Sequence, residues 1–209
     1  MSFETWIAFT LASAFVVLIP GPNIVLTVNY AISRGPRSGI ATVPGVVAGA
    51  FVAMSASLAG AGAVLMASAT LFSLLKLAGA AYLIWLAYQL WTAPVAAIAV
   101  DDNAASQPLR RLFWQAFLVS ALNPKGPIFY MAFVPQFVDP SAPIFGQFAI
   151  LIATFLVVAA LNSLLWLFGA STLRAQLRRP AVMRMVNRIG ASCLFLAGLF
   201  ATRASRASA

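Results

Sequence analysis

Six apolar segments, at about 5–31, 39–66, 70–92, 112–137, 144–169 and 183–202, run the length of the chain. They exceed the roughly 18 residues that mark a candidate membrane-spanning helix. A bilayer then restricts the fold to helices, because backbone N–H and C=O groups find no water there and must be satisfied internally. The expectation is an all-α polytopic membrane protein of six spans, with residues 1–209 forming one transmembrane domain.

The charge inventory narrows this further. Hydrophobic residues make up 62% of the chain and charged ones 8%, with a mean hydropathy of +0.95; a soluble domain is about 45–50% apolar and about 25% charged. The net charge of +9 does not form a nucleic-acid face, since the basic residues sit at the ends of apolar segments, where membrane topology accounts for them. One cysteine, Cys193, and no histidine leave no internal disulfide, no CxxC redox pair and no imidazole relay. No cofactor or resident metal is expected. The N-terminal MSFETW lacks the positive region of a signal peptide, and the apolar run continues past Ala12-Ser13-Ala14, so the first span is read as uncleaved.

Orientation follows from lysine and arginine. The loops after spans one, three and five carry Arg34, Arg37, Arg110, Arg111, Arg174, Arg178, Arg179, Arg184 and Arg188; the other side has Arg203 and Arg206 with Glu4 and Asp139. The positive-inside rule places the first group in the cytoplasm, so both termini are expected outside. Within the stretch 171–188, Arg174, Arg178 and Arg188 also fit an amphipathic surface helix on anionic lipid, although a topology signal is the simpler account.

Two spans are interrupted at their centres. The first contains Pro20-Gly21-Pro22-Asn23 and the fourth Asn123-Pro124-Lys125-Gly126-Pro127, with Gly21-Pro22 and Gly126-Pro127 related by a shift of 105 residues. Proline removes an amide donor and clashes with the preceding turn, so each motif breaks its helix. Two three-span units follow, at about 1–92 and 112–203 around a linker of about 93–111. An odd number of spans inverts the second unit relative to the first. Paired broken helices at matching positions mark a transporter's central site, because freed backbone groups must be buried in protein or line a wet cavity. Helices resuming after Pro22 and Pro127 would aim positive N-terminal ends at the midplane, suited to a substrate carboxylate.

The candidate substrate-binding residues are therefore Pro20, Gly21, Pro22, Asn23, Asn123, Pro124, Lys125, Gly126 and Tyr130. Lys125 is the sharpest, since an ionisable group at mid-membrane reads as functional; with Asp139 it is a candidate for ion coupling. Lys76 sits near a span end, where snorkelling explains it. Asn29, Gln115 and Asn162 are equally well read as interhelical hydrogen-bonding groups. Gly45, Gly49, Ala53 and Ser57 repeat along span two as a close-packing face, on which Gly49→Ala is expected to be milder than Gly21→Leu. No Asp or Glu lies deep in a span, which favours a neutral or zwitterionic substrate over a dibasic one and disfavours divalent metal.

These motifs resemble the LysE/RhtB family of amino-acid exporters. Pro20-Gly21-Pro22-Asn23 is similar to its N-terminal signature and Gly35-Pro36-Arg37-Ser38-Gly39 to its GxxxG stretch. Lys76-Leu77-Ala78-Gly79-Ala80-Ala81-Tyr82-Leu83, Asn123-Pro124-Lys125 and Phe133-Val134-Pro135-Gln136-Phe137 resemble its motifs in spans three and four. The resemblance covers essentially the whole chain. It implies export of amino acids or their derivatives across a bacterial inner membrane, driven by protons, with membrane lipid as surroundings and a homo-oligomer left open. The competing readings are a cation or metal exporter of the wider superfamily and a non-transporting membrane assembly partner. An enzyme is not expected, since HExxH, GxSxG and paired buried carboxylates are missing from the sequence.

Overall fold

The computed structural model describes residues 1–18, 21–92, 107–123, 125–177 and 180–207, and all regular structure among them is helical. In chain order the helices are α1 (Phe3–Leu18), α2 (Pro22–Arg34), α3 (Gly39–Ala67), α4 (Ala69–Thr92), α5 (Leu109–Leu122), α6 (Lys125–Phe133), α7 (Ile144–Leu177) and α8 (Pro180–Ala207). Single 3-10 turns at Pro36–Ser38 and Val134–Phe137 extend the α2–α3 corner and the end of α6.

Segment 36–67, residues 70–92 and residues 144–169 are each long and apolar enough to cross a membrane, with hydropathies of 1.8, 1.6 and 2.5. The α1–α2 pair qualifies as a fourth, bent by 58°. The segments expected as spans four and six fall on the α5–α6 pair and on α8, which are not among the helices that reach this length and hydropathy within the described residues. Large apolar side chains lie open on the outside, Phe145 at 82% and Met66 at 77% exposure, as a chain facing hydrocarbon requires. At 34 residues, α7 is about 50 Å long against a hydrocarbon core of about 30 Å. It therefore continues well past Gly169, and the stretch 171–188 is divided between the end of α7 and the start of α8. The separate surface helix considered for it does not exist among the described residues.

Each interrupted element packs on the other half of the chain. Helix α3 lies against α5 and α6, α7 lies against α1 and α2, and α4 pairs with α8. The α3–α5 contact explains the small-residue face. A Cβ on Gly45 would stand 2.5 Å from Phe113 O, and one on Gly49 would stand 2.4 Å from Phe117 O. These are backbone atoms, which cannot swing aside. The expectation that span two tolerates another small residue at Gly49 is therefore corrected: a hydrogen is required there, not merely favoured. Gly79 against Ala132 and Gly198 against Ala80 O are two further close approaches.

The core is aromatic where α1 meets the end of α6. Phe9, Phe133 and Phe137 pack with ring centroids 5.0–5.5 Å apart, over the fully buried Met54, Leu83 and Leu151. Gly35 closes α2 at φ 75, ψ −175, a backbone region essentially confined to glycine, and donates its N–H to Ala31 O at 2.9 Å. That turn sends α3 back alongside α5.

Candidate functional site

The helix ends on the far side of the first break and on both sides of the second can be read in backbone detail. Gly21 is the extended N-cap of α2, and Pro22 occupies its first helical position, where a missing N–H costs nothing. The first intrahelical bond runs from Val25 N to Gly21 O at 3.0 Å. In the second break, Asn123 is the extended C-cap of α5, and α6 opens with Gly126 N donating to Asn123 O at 2.9 Å.

The two breaks meet at one cavity of about 290 Å³. Gly21, Pro22, Asn23 and Ile24 line it from the first, and Asn123, Gly126, Phe129 and Tyr130 from the second. Val16 and Val17 of α1 close one side, Phe155, Ala159, Asn162 and Ser163 of α7 another, and Leu86, Leu90 and Leu194 bring in α4 and α8. The lining is mainly apolar with a few polar groups, the usual make-up of a small-molecule site. A Cβ on Gly21 would touch nothing within 4 Å, so the backbone there faces open space.

Side chains from distant helices satisfy the groups that the breaks expose. Asn162 Nδ2 donates to Val17 O at 2.8 Å, taking up a carbonyl in the last turn of α1 that has lost its own helical partner. Asn23 Nδ2 donates to Ser120 Oγ at 3.3 Å, and Ser120 Oγ donates to Val46 O at 2.9 Å. This chain ties α2 through α5 to α3. Among the described residues, the amide oxygens of Asn23 and Asn162 are both buried and meet no hydrogen-bond donor, acceptors that cost about 1–3 kcal/mol each to leave unmet. Tyr130 is buried and packs edge-on against Phe155 at 5.1 Å.

Of the residues expected at the site, Gly21, Pro22, Asn23, Asn123, Gly126 and Tyr130 come together on this cavity. Pro20 and Pro124 lie outside the described residues, as does the side chain of Lys125, whose backbone opens α6. Asp139 is elsewhere: it follows the 3-10 turn, and its carboxylate accepts from Ser141 Oγ at 2.6 Å and Ser141 N at 2.9 Å. Those hydrogen bonds hold its carboxyl below the usual range. Two of the secondary candidates also separate from the cavity. Gln115 accepts from Tyr30 Oη, and Asn29 Oδ1 accepts from Ser33 Oγ at 3.4 Å, near the end of α2 where Arg34 donates to Gln107 O. Ser120 and Ser163 were not foreseen; Ser120 lies one turn before Asn123 on the same helix, a spacing that points to it.

We expect Asn162→Ala to release Val17 O and lower the melting temperature by a few degrees, about 1–2 kcal/mol for one buried hydrogen bond. Asn162→Asp, which keeps an acceptor but loses the donor, should do no better. Equal melting of wild type and Asn162→Ala would show that the α1 terminus is held by something else.

A profile for the LysE type translocator matches residues 14–205. The chain belongs to the LysE family. It is a translocator of that family and a membrane protein, not an enzyme. Its sequence is 34% identical to the homoserine/homoserine lactone efflux protein of Salmonella typhimurium over 99% of this chain and 100% of that one. The LysE relatives also include a leucine efflux protein of Klebsiella pneumoniae, 28% identical over 57% of each chain. A cysteine/O-acetylserine efflux protein of Salmonella choleraesuis is 32% identical over 56% of this chain and 57% of its own. No solved structure matches.

Proposed function

We propose that this LysE-family chain is a secondary transporter exporting small neutral amino acids or their derivatives, homoserine among them, from the cytoplasm across a bacterial inner membrane. Six spans in two inverted three-helix units, both termini outside, alternate access to the cavity between the breaks. The observation that carries this reading is that single cavity, to which both interrupted helices contribute residues. The cross-packing of α3 on α5–α6 and α7 on α1–α2 supports the inverted relation, since exchanging the two units maps one set of contacts onto the other.

The chemistry of recognition follows from the groups available. A substrate carboxylate takes the N-terminal ends of α2 and α6, drawn by the positive ends of both helices and by the amides of Asn23 and Ile24, which precede the first helical hydrogen bond of α2. A substrate ammonium gives donors to the amide oxygens of Asn23 and Asn162, both unpartnered among the described residues. Tyr130 and Phe129 set the width available to the side chain, and 290 Å³ suits a small amino acid. Asn123 caps α5 at the second break, and Pro20 and Pro124 are assigned to the two breaks from sequence, as residues that cannot continue a helix. Coupling to protons falls to Lys125, in the turn that opens α6, with Asp139 as the second candidate on the outer loop.

Lys125→Ala is expected to abolish efflux of radiolabelled homoserine from proton-energised vesicles while leaving insertion and melting temperature near wild type. Efflux at the wild-type rate from such vesicles would falsify a substrate or coupling role for this lysine.

A further inference from the structure

The α4–α8 pair has a second, outward-facing feature unrelated to the cavity. Beyond the tight crossing at Gly198, a groove of about 520 Å³ runs between the two helices. Ile84, Tyr88 and Trp91 of α4 and Ala191, Phe195 and Leu196 of α8 form its walls. Tyr88 is 67% exposed and Leu196 63%, so the groove opens to the surface that faces hydrocarbon. Polar atoms contribute almost nothing to it. The Ser192 hydroxyl on the same wall is already donating to Arg188 O at 2.9 Å.

One end of this groove is charged. The Arg188 guanidinium lies over the Trp91 ring, 5.3 Å from its centroid, one turn before Ala191, with Arg184 a further turn before it. Stacking on an aromatic face holds the guanidinium in place without using its N–H donors on the ring plane. A fixed cation at the mouth of an apolar slot suits a molecule with an anionic head and a hydrocarbon tail. Neither α4 nor α8 contains an aspartate or glutamate. A second copy docked through the same face about a twofold axis would therefore bring Arg188 no counter-charge.

We infer that the α4–α8 groove is a binding site for an anionic phospholipid, its acyl chain along Tyr88, Phe195 and Leu196 and its phosphate on Arg188. Guanidinium and phosphate pair through two parallel hydrogen bonds, which a zwitterionic head masks with its own ammonium. The site is independent of the export reading, and its test does not involve transport.

The full-length protein is delipidated in detergent and given dioleoyl phosphatidylglycerol or dioleoyl phosphatidylcholine, with retention read by native mass spectrometry and stability by thermal melting. Phosphatidylglycerol should be retained about five-fold better, as one basic residue at a membrane surface allows, and should raise the melting temperature in a concentration-dependent way. Arg188→Gln should erase the preference and Arg188→Lys restore part of it. Ser192→Trp, which fills the groove and keeps the charge, should reduce retention of both lipids. Equal retention of the two lipids by wild type overturns the site, as does a preference that survives Arg188→Gln. A disulfide between copies at Leu196→Cys in native membranes would also overturn it, by showing the groove covered by a second chain.

Discussion

Gly49→Ala is expected to unsettle the whole protein, although it adds a single methyl group. The new Cβ would stand 2.4 Å from Phe117 O, 2.7 Å from Ser120 Cβ and 3.0 Å from Ala121 N. Two of these three atoms belong to the α5 backbone, so relief requires α3 and α5 to separate. Overpacking of this kind costs about 1–3 kcal/mol and sometimes more, or roughly 2–12 °C in melting temperature for a chain of this size. Separation would also pull on Ser120, which links Val46 O to Asn23, so transport should fall along with stability. Gly60→Ala is the control: its Cβ would meet only Met131 Cε at 4.0 Å. Thermal melting of the two variants side by side decides the matter, and similar melting points would mean that the α3–α5 contact is looser than described.

Gly21→Leu should separate folding from function. Its Cβ would meet nothing within 4 Å, and its φ of −111 is open to any residue, so the variant should insert and melt near wild type. The leucine side chain would instead occupy the cavity of about 290 Å³, displacing a substrate of comparable size. Efflux should drop by at least ten-fold, about 1.4 kcal/mol of lost substrate affinity. Near-wild-type efflux in vesicles containing Gly21→Leu would remove this cavity from the transport path. The two glycines thus fail differently, one through packing and the other through occupancy.

The breaks at Gly21-Pro22 and Asn123–Gly126 were legible because proline and glycine act locally, through a missing amide and an absent side chain. The apolar segments were legible because their length is itself the signal. What sequence could not supply was pairing across the chain. Asn162 looked like any polar residue in a span, yet its partner, Val17 O, is 145 positions away. Gly49 was recognised as a packing residue, but its tolerance depended on how close α5 comes, and only the helix crossing fixes that distance. Gln115 and Asn29 had the right chemistry for a cavity wall, and were drawn instead to Tyr30 and Ser33 near the end of α2. The α4–α8 groove left no trace in sequence, since its residues are those of ordinary lipid-facing helices.

The packing of α3 on α5–α6 and of α7 on α1–α2 bears on how such a chain is made. The helices Phe3–Leu18, Pro22–Arg34, Gly39–Ala67 and Ala69–Thr92 leave the ribosome first, and in that interval Gly45 and Gly49 have no neighbour to receive and Val17 O has no donor. The N-terminal half is thus an unfinished surface that only the C-terminal half completes. Two half-chains expressed from separate messages should each be degraded alone and rescue one another when made together.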